Sequence, residues 1–123
     1  MRYWTVEEAN AALERVHAVV SRIRELAAAA RERGTRISGN GASGNGHRKD
    51  ADPAAQVREL LDELARDDIV LRDVERGLVD FPALAPSGRQ YWLCWLVDEP
   101  AVEWWHWPED GFAGRTRLTL PPE

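Results

Sequence analysis

The sequence predicts an α+β fold, a helical N-terminal half packed with a C-terminal antiparallel sheet, and three observations carry that prediction. Apolar residues recur at alternating three- and four-residue steps through the first quarter of the chain. A second helical pattern, opened by Asp52-Pro53, follows a glycine- and asparagine-rich break. From Ile69 onward the period falls toward two, and five of the six tryptophans then crowd between Trp92 and Trp107.

The first element begins at Thr5-Val6-Glu7-Glu8, a capping-box pattern with two acids in the first turn to suit the positive end of the helix dipole. Its apolar seam is Val6, Ala9, Leu13, Val16, Val20, Ile23, Ala27 and Ala30, with Gly34 as the expected stop. A helix over 5–33, about 29 residues and roughly 43 Å, follows at 1.5 Å per residue. The second helix, 52–67, buries Val57, Leu60, Leu61 and Leu64 and is about half as long. Antiparallel pairing therefore leaves part of the long seam to be covered. A homodimer through the N-terminal helix is the preferred expectation, because two-fold pairing of equal helices buries a whole seam. Packing of the helix on the chain's own sheet is the alternative.

Residues 34–51, with Gly-Asn-Gly at 39–41 and again at 44–46, show no hydrophobic periodicity and read as a flexible linker. A nucleotide phosphate loop is excluded there, since the Lys-Ser/Thr pair is missing. His47 in this stretch reads as a solvated residue.

The sheet is expected over 69–107 as a meander of three or four strands. Ile69–Asp73 and Leu78–Leu84 form the first two, with Pro82 assigning the second to an edge or a bulge. Pro86-Ser87-Gly88 is a turn, and Gln90–Val97 is the strongest strand pattern in the chain. A turn centred between Asp98 and Ala101 sets Cys94 opposite Trp105, and so puts Cys94 and His106 on opposite faces. Residues 108–123 read as an extended tail. Both faces of the hairpin are apolar enough to require covering.

At 123 residues the chain fits one domain. A net charge of −5 argues against nucleic acid or an anionic membrane as the main partner. No apolar run approaches a membrane span, and the opening residues lack a signal-peptide core. With a single cysteine and no internal disulfide possible, a cytoplasmic location is the expectation.

The run Glu75-Arg76-Gly77-Leu78-Val79-Asp80-Phe81-Pro82-Ala83, then Leu93-Cys94-Trp95, Trp105-His106 and Gly111-Phe112-Ala113-Gly114-Arg115, resembles the DUF2203 family of small bacterial proteins. The likeness includes the opening Thr5-Val6-Glu7-Glu8-Ala9-Asn10 and spans nearly all of the chain outside the linker. The resemblance implies a helical N-terminal half, a small C-terminal sheet and a prokaryotic cytosolic setting, with no activity and no catalytic residues to carry over. It also implies an acid directly after the Trp-His pair in many relatives. Trp107 holds that place here, leaving Glu109 or Asp110 as substitutes.

Candidate chemistry lies with the polar residues embedded in the apolar C-terminal half: Asp80, Cys94, Glu103, His106 and Arg115. Four readings use them. In the first they are structural, with Asp80 paired to Arg76, Arg89 or Arg115, Cys94 a small buried hydrophobe and His106 a satisfied core histidine. In the second, His106, Cys94 and a carboxylate from Asp80 or Glu103 bind zinc or iron, although no C-x-x-C or paired histidines support it. In the third, Cys94 is a nucleophile with His106 as base and Asp80 as orienter. In the fourth, the Trp-lined sheet is a recognition surface for a small molecule or peptide, with Gly111–Arg115 as a clasp. The preferred expectation is a non-catalytic homodimeric assembly or ligand-binding module, and the alternative is a metal-binding protein or a Cys/His enzyme.

Overall fold

Thr5 opens the first helix as its spacing predicts: its hydroxyl accepts from the Glu8 amide while the Glu8 carboxylate accepts from the Thr5 amide. In the computed structural model, which describes residues 1–37 and 52–123, α1 spans Val6–Ala11 and α2 spans Leu13–Ile37. Ala12, still right-handed, marks the break between them. The helix runs through Gly34 to Ile37, past the expected stop, because an interior glycine weakens a helix by only about 1 kcal/mol. The rest of the expected linker, 38–51, with His47, lies outside the described residues. Helix α3 spans Pro53–Arg66, with the Asp52 side chain accepting from the Ala54 amide.

The buried stripe of α2 is Val16, Val19, Val20, Ile23 and Leu26, wider than the narrow predicted seam. A wide stripe suits a helix lying on a core rather than along one partner helix. Val16, Val19, Val20 and Ile23 join Leu64 of α3 and the inner face of the sheet in one cluster within a single chain.

That sheet has five strands in the order β1 (Val70–Asp73), β2 (Leu78–Leu84), β3 (Gln90–Leu96), β4 (Trp104–His106) and β5 (Thr116–Arg117), every neighbouring pair antiparallel. The fifth strand comes from the expected tail, which turns through a 3-10 segment at Phe112–Gly114 and pairs with β4. Pro82 sits in a strand flanked on both sides, not at the sheet edge. Its ring is tolerated because the β1 ladder stops at Asp80; beyond that point the Pro82 carbonyl accepts from the Trp4 amide instead.

The β3–β4 register differs by one residue from the expected one: Leu93 faces Trp105 and Cys94 faces Trp104. The inner face therefore carries Tyr91, Leu93, Trp95 and Trp105, all buried against the helices. The outer face carries Trp92, Cys94, Trp104 and His106. The slip has a physical cause. Val102 donates its amide to the Asn10 side chain at 2.8 Å, and so is tied to the helix rather than to Val97. The outer face is covered by arginines: Arg72 lies 4.7 Å from the Trp92 ring centre, and Arg115 and Arg117 lie 4.7 and 4.8 Å from that of Trp104.

Candidate metal centre

Three strands bring three candidate ligands together on the outer face. Asp80 of β2 is directly opposite Cys94 of β3, and His106 of β4 is opposite Trp92, two residues along from Cys94. Residues at such direct and diagonal positions are within side-chain reach. One ligand atom from each of Asp80, Cys94 and His106 lies within 4.8 Å of the other two. Relative exposures of 2%, 0% and 4% put all three side chains inside the protein. The expected separation of Cys94 and His106 onto opposite faces is thus reversed by the register.

His106 is fixed at both ring nitrogens. Its Nδ1 is 2.8 Å from the Trp107 carbonyl, a group that can only accept, so Nδ1 carries hydrogen. Nε2 then points at Asp80 Oδ2, 3.0 Å away. Arg72 Nε donates to the same oxygen at 3.0 Å. The other oxygen, Asp80 Oδ1, is buried without a hydrogen-bond partner among the described residues. Asp80 therefore pairs with Arg72, not with the three arginines expected: Arg76 pairs with Asp73, Arg89 with Glu109, and Arg115 with Glu99.

The electrostatics follow from this packing. Burial foremost, and then the Asp80 charge, push the Cys94 thiol up to about 12, against an opposing pull from Arg115. Burial presses the His106 pKa down, but the Asp80 and Trp107 hydrogen bonds and the Asp80 charge outweigh it, and the net direction is upward. In this arrangement Cys94 is a thiol, not a nucleophilic thiolate.

Arg115 lies behind Cys94. Its Nη2 donates to both Glu99 oxygens at 2.7 and 2.9 Å, and the Cys94 carbonyl is 3.4 Å away, while its buried Nε has no partner among the described residues. Glu103 is half-buried and stands outside the cluster. Trp107 packs edge-on to Trp105 on the inner side, and Glu109 and Asp110 are exposed, so neither acid reaches the centre. Two contributors were missed from sequence. Arg72 could have been found as a lone cation in the strand pattern that begins at Ile69. Glu99 gave no signal, since it looked like a turn residue.

A groove of about 440 Å³ also opens beside His17, Trp95 and Pro100. Trp95 belongs to the inner face, so this groove is separate from the centre. No helix among the described residues is long and apolar enough to cross a membrane.

Comparison with curated proteins and with solved structures finds no match. The family model described as "Uncharacterized conserved protein (DUF2203)" matches residues 2–118, which takes in both halves of the fold and all three candidate ligands. The chain belongs to the DUF2203 family.

Proposed function

We propose that this protein binds a divalent transition metal of the zinc class through Asp80, Cys94 and His106. The observation that carries the reading is the convergence of a carboxylate, a thiol and an imidazole, all buried, within 4.8 Å. Sulfur, nitrogen and oxygen donors in one set suit zinc, with iron(II) next. Two details support it. The carbonyl of Trp107 orients the His106 ring so that Nε2 is the ligand atom, the usual role of a group behind a metal-binding histidine. The buried Asp80 carboxylate also meets the Cys94 thiol, whose proton a metal ion would displace. Three protein ligands leave a tetrahedral ion one further position, for water or a bound molecule.

The high thiol pKa and complete burial of Cys94 argue against the cysteine-nucleophile alternative. Metal binding would have to remove that proton, so affinity should rise with pH. The test is calorimetric titration of zinc into metal-free protein, wild type beside Asp80→Asn, Cys94→Ser and His106→Gln. One equivalent bound by wild type, with weakening of at least about tenfold in each variant, is the expected result. Equal binding by wild type and all three variants would overturn the assignment.

A further inference from the structure

Arg72, Arg115 and Arg117 cover the outer face, and Arg76 lies with Arg115 over the Phe112 ring, in a chain whose net charge is −5. Two are neutralised by carboxylates: Arg76 by Asp73 and Arg115 by Glu99. The other two retain unused donors. Arg72 spends only its Nε on Asp80, and its two Nη groups have no hydrogen-bond partner among the described residues, although the side chain is 43% exposed. Arg117 is exposed and, among the described residues, has no carboxylate within ion-pair reach. Each of the two lies over a tryptophan, Arg72 on Trp92 and Arg117 on Trp104. Those tryptophans flank Cys94, one two residues before it on β3 and the other directly opposite on β4.

Stacking on a ring holds a guanidinium plane in place while leaving its edge donors free, which is how arginine is prepared to receive an oxyanion bidentately. Resting on the metal reading above, we infer that the centre takes a phosphate-class oxyanion as its ligand. Arg72 Nη and Arg117 would receive the anion's oxygens, beside the position that three protein ligands would leave open on the ion. Two guanidinium groups on one face, each stacked on a tryptophan beside Cys94, favour a dianion over a single carboxylate. Arg72 also links the two functions, since the same guanidinium that holds Asp80 presents its free fork outward.

Cobalt(II) titration tests this, because a thiolate–cobalt centre absorbs visible and near-ultraviolet light. Inorganic phosphate added to the cobalt-loaded protein is expected to shift the visible bands saturably in wild type. In Arg72→Gln and Arg117→Gln the phosphate midpoint should rise by at least about tenfold, as expected for loss of a charge-assisted hydrogen bond. Arg117→Gln, which touches none of the three ligands, should still take up cobalt, and that reports folding and an intact centre together; Arg72→Gln also removes the partner of Asp80 and is read beside it. If Arg72→Gln fails to fold, Arg72→Lys serves in its place, with weakened phosphate binding and cobalt retained. A cobalt spectrum of wild type that phosphate leaves unchanged overturns the inference while leaving the metal reading intact. So does a phosphate midpoint that no arginine variant alters. Absence of any thiolate–cobalt band in wild type is the separate failure of the metal reading itself.

Discussion

His106 Nε2 and Arg72 Nε converge on one atom, Asp80 Oδ2, each 3.0 Å away from it. A single buried carboxylate thus fixes one side chain that is almost wholly buried and one that is partly exposed. Asp80→Ala is expected to destabilise the metal-free protein by about 1–3 kcal/mol, the cost of leaving the buried His106 Nε2 without its partner while the half-exposed Arg72 turns to water. Asp80→Asn, which keeps a hydrogen-bonding oxygen, should cost less. Urea unfolding of both variants measures the difference, and equal midpoints for Asp80→Ala and wild type would contradict the arrangement.

Alkaline conditions should weaken the fold. Burial raises the Cys94 thiol from 9.0 to about 12, and it also raises the Tyr91 phenol from 10.0. Both groups keep their protons when folded and lose them first when unfolded. Their contribution is therefore fully present below pH 9 and declines as pH rises toward 12. Thermal melts of the metal-free protein should fall through this window, and Cys94→Ala should flatten the decline. Native Cys94 should also resist thiol reagents until the protein unfolds.

Gly77 tests the turn between β1 and β2. Its φ is +67°, and a Cβ added there would stand 2.6 Å from the Val97 Cβ. Gly77→Ala is therefore expected to cost more than about 1 kcal/mol, from left-handed strain and collision together. Val97→Ala alone cannot relieve it, because the nearest atom is a Cβ that alanine retains. A Gly77→Ala, Val97→Gly double variant should recover only the steric part, leaving the backbone strain visible in chemical denaturation.

Asn10 holds the β3–β4 connection: its side-chain oxygen accepts from the Val102 amide at 2.8 Å, and its amide donates to the Val6 carbonyl at 3.1 Å. Asn10→Ala should cost about 1–3 kcal/mol, because the Val102 amide loses its partner. Hydrogen exchange should quicken at Val102 and along β4. Protection unchanged from wild type would show that the clamp does not hold the register.

Light scattering bears on the expected helix-mediated dimer. Val16, Val20 and Ile23 are fully covered within one chain, and Ala27 and Ala30 remain only partly so. A dimer through this helix would bury what remains of the seam, Ala27 and Ala30; a mass of two chains supports it, and a mass of one chain at all concentrations excludes it.

The local features of this fold were legible because their causes are local. Thr5 with Glu8, and Asp52 with Pro53, satisfy orphan amides at helix starts through neighbours a few residues away. The strands β2 and β3 announced themselves by composition, and Asp80, Cys94, His106 and Arg115 stood out as polar residues in apolar runs. What failed had distant causes. The register after Val97 depends on Asn10, far away along the sequence, so a turn rule applied to Asp98–Ala101 placed Cys94 and His106 on the wrong sides. Pro82 looked like an edge marker because nothing nearby discloses that β1 ends at Asp80 and Trp4 takes its place. Arg72 went unnoticed because its partner was set by strand pairing.

The clamp between Asn10 and Val102 also bears on when the protein can mature. The three ligands come from separate strands, and their alignment waits on a helix near the start of the chain docking against a loop near its end. A growing polypeptide on the ribosome has no such pocket until His106 has emerged and the docking is complete. On the metal reading, loading would therefore follow synthesis, and protein made without the ion should fold and still take it up afterwards.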